Sequence, residues 1–183
     1  MKNLIYIPLL LLLLSCNNGK QSYEDTTSLV ELKKELISKF GKNAYYTQIG
    51  ISNNDYGSTV GVSQTDEPSS LKMTEWDYSN GNWNQISDVT LELSSGAKAE
   101  DFMFQVNKII DFDIMGKIVE ESKNKIIEEK GINEVRVENI IIKAPNNGDF
   151  SSMKYFITIS PKDGGTDFNF WYKMDGTLAK FDY

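Results

Sequence analysis

An α+β fold follows from three features of the sequence. Helical periodicity occurs in two separate stretches, each closed by a glycine, Gly41 and Gly131. Each stretch is followed by four short segments in which large apolar side chains alternate with polar ones, the pattern of half-buried strands. Turn residues divide those segments, and Asn80-Gly81 and Asp175-Gly176 mark tight hairpins at matching places in the two halves. The sequence therefore predicts two tandem helix–four-antiparallel-strand repeats, residues 28–93 and 97–183, forming one compact unit with the helices packed on one sheet face.

In the first repeat, Ser28-Leu29-Val30-Glu31 has capping-box spacing, with Ser28 placed to cap and Glu31 to reach back. Leu29, Leu32, Leu36 and Phe40 then recur at helical spacing, so a helix is expected over 28–40 with Gly41 as its stop. Strands are expected over 44–52, 59–64, 71–78 and 83–93. The first places Tyr45, Thr47, Ile49 and Ile51 on one face. The third alternates Leu71 and Met73 against Trp76 and Tyr78. In the last, the apolar phase shifts between Ile86 and Val89, so a bulge is expected at Ser87-Asp88.

In the second repeat, Phe102, Val106, Ile109 and Ile110 form one apolar stripe and Ile114, Ile118 and Ile126 another. The region 97–130 reads as helical with a kink or break at 111–116. Strands follow over 133–143, 153–160, 167–174 and 177–183. Gly41 against Gly131, and the Gly81 turn against the Gly176 turn, set the two halves about ninety residues apart. Both last hairpins carry a tryptophan just upstream, Trp76 and Trp171. This element order resembles the duplicated helix-plus-sheet units of PepSY-like periplasmic domains and of beta-lactamase inhibitory proteins. The resemblance implies an inhibitor or immunity-type role.

The N-terminus has a different character. Lys2 supplies a positive charge and Leu4–Leu14 an apolar run interrupted only by Pro8, ending in Leu13-Leu14-Ser15-Cys16. About eleven apolar residues match the core of a signal peptide and fall short of the roughly twenty that cross a bilayer. Leu13–Cys16 resembles a lipobox, which implies that residues 1–15 are removed and that Cys16 becomes the lipidated first residue. The lipid would anchor the protein stably, since each buried methylene contributes about 0.8 kcal/mol. Residues 16–27 read as a flexible tether. Asn17 after Cys16 fits onward sorting to an outer membrane where the cell has one, so the expected location is the bacterial envelope.

Composition narrows the chemistry. The chain carries 19 basic and 26 acidic residues, for a net charge of −7, and has neither a basic cluster nor more than one arginine, Arg136. That argues against a nucleic-acid partner. It has no histidine and a single cysteine, Cys16, which excludes Ser-His-Asp and Cys-His catalysis, intramolecular disulfides and the usual zinc sites. Carboxylates are the remaining candidates for acid–base work: Asp111 with Asp113, and Asp163 with Asp167 around Gly164-Gly165-Thr166. Paired carboxylates hydrolyse glycosidic bonds when they converge in an apolar cleft. As sequence, the first pair reads as a helix cap and the second as a turn. No catalytic residue, metal site or cofactor is expected. The function expected is non-enzymatic binding, with a carboxylate-dependent hydrolase or a self-associating structural lipoprotein as alternatives.

The aromatic residues point to binding. A sheet covered on one face should be mostly polar on the other, yet several strands carry rings in both phases. Tyr46, Trp76, Tyr78, Trp83, Trp171 and Tyr172 are the candidate binding residues, rimmed by Lys154, Lys173, Asn84 and Asn169. Such a surface would engage a protein or another envelope ligand. Alternatively, the same rings fill the seam between the two repeats.

Overall fold

The computed structural model describes residues 21–183; the expected export segment and Cys16 lie outside them. Helix α1 (Thr26–Phe40) precedes strands β1 (Tyr45–Asn54), β2 (Gly57–Thr65), β3 (Lys72–Ser79) and β4 (Asn82–Thr90). A single-turn helix α2 (Val106–Ile109) and the long α3 (Phe112–Lys130) lead into β5 (Val135–Lys143), β6 (Lys154–Pro161), β7 (Phe168–Lys173) and β8 (Leu178–Asp182). All eight strands form one antiparallel sheet in the order β4-β3-β2-β1-β5-β6-β7-β8, in which β1 and β5 lie side by side at the centre. The two meanders thus extend outward from a shared seam, and α1 and α3 pack together over one face.

That face is the core. Leu29, Leu32 and Leu36 of α1 and Met115, Ile118, Val119 and Ile126 of α3 meet Ile49, Ile51, Val60, Val62, Val137, Ile140, Ile142, Ile157 and Phe170 from the sheet. The helices can approach closely because Gly116 of α3 lies against Thr26 of α1. Among the described residues no helix is long and apolar enough to cross a membrane.

Local chemistry moves several expected boundaries. The N-cap of α1 is Asp25, whose carboxylate accepts from Ser28 N–H at 2.9 Å while the Ser28 hydroxyl accepts from Asp25 N–H. The capping box is therefore Asp25–Ser28, three residues earlier than Ser28–Glu31; a charged carboxylate is a strong acceptor for a helix N-terminus. The expected tether also ends earlier. Gln21 accepts a hydrogen bond from Ser58 N–H, Tyr23 is fully buried, and Glu24 pairs with Lys123.

In β1 the register shifts between Tyr46 and Gln48. That irregularity puts Tyr46 in phase with Ile49 and Ile51 on the core side and turns Tyr45 away, reversing the two tyrosines relative to the sequence reading. The β3–β4 irregularity leaves Ile86, between Gln85 and Ser87, unpaired, one residue before the expected bulge. Asn80 and Gly81 both take positive φ, 51° and 77°, as a type I′ hairpin requires. The stretch 97–130 is one short 3₁₀ turn followed by α2 and α3, separated at Asp111, which caps α3 by accepting from Asp113 and Ile114 N–H. The 3₁₀ turn returns to the side of the sheet opposite α1, where Met73, Ala99 and Met103 form a second, small cluster with Tyr45, Leu71, Leu91 and Leu93.

Candidate site on the open sheet face

Strand register brings Trp171 opposite Phe156, Phe156 opposite Ile141, and Ile141 opposite Gly50. Beyond Trp171 lies Lys180, and beyond Gly50 lie Gly61, Asp77 and Asn84. Because side chains alternate along a strand and align across it, this row lies on the sheet face away from the helices. Its neighbours in β6 and β7 (Tyr155, Ile157, Phe170 and Tyr172) point into the core.

The row changes character from one side to the other. On the β5–β8 side it is aromatic and apolar. The Phe156 and Trp171 rings sit 5.0 Å apart and tilted, and the Lys180 ammonium lies 4.6 Å from the Trp171 ring centre. In the middle, Gly50 and Gly61 leave the face without side chains. On the β3 side stand Asp77 and Glu75, whose carboxylate accepts from the Ser87 hydroxyl at 2.5 Å.

Against the aromatic side lies a groove of about 690 Å³, lined by Ile141, Lys143, Phe156 and Trp171 with Asn146 and Asn147 of the β5–β6 loop and Lys154. Lys143 and Lys154 are exposed, and Lys154 stands opposite Lys173 in the ladder. Lys154 donates to the Ser152 carbonyl at 3.2 Å, and Lys180 pairs with the Asp182 carboxylate at 2.7 Å. The Lys180 ammonium holds the Asp182 carboxyl below the usual carboxylate range, chiefly through that hydrogen bond. The groove lining contains two lysines, two asparagines and no carboxylate.

The six candidate aromatic residues divide unequally. Trp171 alone lies on the open face. Tyr46, Tyr78 and Tyr172 are core residues, exposed by 1%, 6% and 3%. They point at the helices because their strand positions share a phase with Val60, Val62 and Ile157. Burial raises the pKa of all three phenols. Tyr172 contacts the Ser122 hydroxyl at 2.8 Å.

Trp76 and Trp83 are half-buried beneath the end of α1, where Phe40 lies 5.7 Å and 4.8 Å from their rings and Lys39 sits 4.2 Å from the Trp76 ring. Both indole nitrogens are enclosed there with no hydrogen-bond partner among the described residues. The four candidate rings of the first repeat thus cluster on the helix side. Lys154, Lys173 and Asn169 belong to the open face near Trp171, and Asn84 ends the row on the far side. Phe156, Ile141, Lys143 and Lys180 complete the site and were missing from the sequence reading. Phe156 is out of phase with Tyr155 and Ile157, but pairing it with Trp171 needs the β6–β7 register, which a long loop leaves undetermined.

The acidic pairs do not converge. Asp111 caps α3 beside Tyr155, whose hydroxyl both donates to the Asp111 carbonyl at 3.2 Å and accepts from its N–H. Tyr155 lies near the start of β6, whereas Asp163 and Asp167 lie in the loop beyond its end, where Asp167 accepts from the Ser160 hydroxyl at 2.6 Å. All four aspartates are exposed.

These features define an α+β protein with one sheet face covered by helices and the other carrying a lysine-rimmed aromatic groove. A crystal structure of a candidate lipoprotein from Clostridium difficile 630 is similar to it, with a TM-score of 0.50 and 13% sequence identity, covering 90% of this chain and 94% of that one. At that identity the likeness is one of fold. No family model and no curated protein matches the chain.

Proposed function

We propose that this chain is a lipid-anchored, extracytoplasmic binding protein without catalytic activity, which docks a protein partner on the open face of its sheet around Trp171. The observation that carries the reading is the Phe156–Trp171 pair, half-buried on the sheet face opposite α1 and α3, beside a groove with lysines at its rim. Contiguous apolar surface bounded by polar side chains is the usual composition of a protein-binding surface. The lipobox-like Leu13–Cys16 supports anchoring through Cys16, and the similarity in fold to a candidate lipoprotein is consistent with it. Blocking of a partner, as in inhibitor or immunity proteins, is the form of this function that the resemblance to beta-lactamase inhibitory proteins implies.

A carboxylate-dependent hydrolase has less support, because Asp111 caps α3, Asp167 accepts from the Ser160 hydroxyl, and all four aspartates are exposed rather than enclosed in an apolar cleft. The test is site-specific photo-cross-linking in native envelopes, with the cross-linker at Asn146 in the groove. One discrete adduct that disappears with Trp171→Ala supports docking at this face. An adduct insensitive to Trp171, or none at all, overturns it.

A further inference from the structure

The charge around the groove indicates what kind of segment it takes. In a chain of net charge −7, Lys143, Lys154, Lys173 and Lys180 gather around Phe156 and Trp171, and the groove lining contains no carboxylate. Among the described residues Lys180 forms an ion pair, with Asp182, and Lys173 lies near enough to Asp175 to help lower its pKa, while Lys143 and Lys154 form no ion pair. Of the chain's own acidic side chains on this face, Asp182 is engaged by Lys180 on β8, and Glu75 and Asp77 lie across the Gly50–Gly61 gap on β3. Resting on the docking function above, we infer that the groove takes an acidic polypeptide segment that carries an apolar side chain. The apolar group would lie against Ile141, Phe156 and Trp171 while its carboxylates face the lysines.

The position of the groove favours a polypeptide over the chain's own membrane. Gln21 is fastened to Ser58 beside the β1–β2 hairpin, and Tyr23 N–H donates to the Ser58 hydroxyl at 3.0 Å. Lys143 and Lys154 lie at the other end of the sheet, since β1 and β5 are antiparallel and Asn139 pairs with Ser52 while Lys143 pairs with Gln48. Four residues separate Cys16 from Gln21, and even fully extended that connection reaches only about 18 Å. A lipid on Cys16 therefore holds the β1–β2 end near the bilayer and directs the groove away from it.

The experiment uses the detergent-solubilised full chain and fluorescence anisotropy with three labelled twelve-residue peptides. All carry a central Leu-Phe; the flanking residues are glutamate in one, glutamine in the second and lysine in the third. Anionic phosphatidylglycerol vesicles form a fourth arm. The expected result is binding of the glutamate peptide alone, weakened by added salt as screened charge pairs require. Lys143→Glu/Lys154→Glu should weaken it about tenfold or more, since like charges then face each other. Trp171→Ala should also weaken it about tenfold or more, as loss of a central aromatic anchor does. Lys34→Glu, on the exposed side of α1, should leave it unchanged. Circular dichroism of the variants separates lost binding from lost folding, and Lys143→Gln/Lys154→Gln provides a milder test of the same charges.

Equal binding of all three peptides, or vesicle binding that depends on the same lysines, overturns the acidic-segment inference. If the Asn146 cross-link forms while the glutamate peptide fails to bind, the acidic specificity falls and protein docking stands. If neither occurs, both fall.

Discussion

Gly116 of α3 and Thr26 of α1 are in such close contact that a β-carbon added to Gly116 would stand 2.3 Å from the Thr26 hydroxyl oxygen and 2.4 Å from its α-carbon. The second of these is backbone, which cannot rotate away. The two helices cover one sheet, so separating them also lifts Leu29 and Met115 from the strands they bury. Gly116→Ala is expected to destabilise the fold by about 1–3 kcal/mol, the range for overpacking in a filled interior. Urea denaturation followed by circular dichroism measures it. An unchanged midpoint would mean that the helices slide apart without cost.

Leu36 tests the same layer by removal of volume. It is fully buried among the α1 residues that face the sheet, so Leu36→Ala leaves a cavity and is expected to cost about 2–5 kcal/mol. A loss under about 0.5 kcal/mol, the range of surface substitutions, would contradict the packing.

How much of this fold could be read in the sequence depends on where the controlling chemistry is local. Gly41, Gly131, Asn80-Gly81 and Asp175-Gly176 act within a few residues of themselves, so helix ends and hairpins were legible, and with them the α+β order. Bulges depend on a partner strand. The irregularity at Thr47 reverses Tyr45 and Tyr46, and no pattern inside β1 announces it. The candidate site suffered for the same reason. Alternation identifies two faces but does not say which one the helices cover, so core tyrosines and the open-face tryptophan carried equal weight.

The cap of α1 turns this into a measurement. Asp25 accepts from Ser28 N–H at 2.9 Å, whereas the sequence favoured Ser28 with Glu31. Asp25→Ala is expected to cost about 1 kcal/mol, as loss of an N-cap does. Glu31→Ala, exposed and outside the observed box, should change stability by less than about 0.5 kcal/mol. The reverse order in urea midpoints would restore the Ser28–Glu31 box.

Trp171 and Tyr172 are chain neighbours that face opposite ways, which makes them a control for each other. Trp171→Ala should leave the denaturation midpoint nearly unchanged, because the ring lies on the open face with Phe156 and Lys180. Tyr172→Ala removes a core ring stacked 6.2 Å from Phe170 and should cost about 3–5 kcal/mol by analogy with buried phenylalanine. Equal losses would place Trp171 in the core and remove the proposed docking face.

Alkaline pH tests the buried tyrosines as a set. Burial pushes the Tyr155 phenol up to about 12, and the Tyr23, Tyr46, Tyr78 and Tyr172 phenols are also raised, with burial the largest cause in each. An unfolded tyrosine ionises near 10. Above that pH the unfolded chain releases protons that the folded one retains, so by linkage stability falls as pH rises. For Tyr155 this contribution is fully present below pH 10 and is lost from there up to about 12. The urea midpoint should therefore hold steady up to roughly pH 9.5 and decline above 10, with phenolate absorbance from the buried rings appearing only as the fold is lost. Tyr155→Phe removes both hydrogen bonds to the Asp111 backbone, so at neutral pH it should cost about 1 kcal/mol. Because it also removes one of the retained protons, the decline above pH 10 should be shallower than in the native chain. Ionisation of every tyrosine near pH 10 with the fold intact would show that these rings reach solvent.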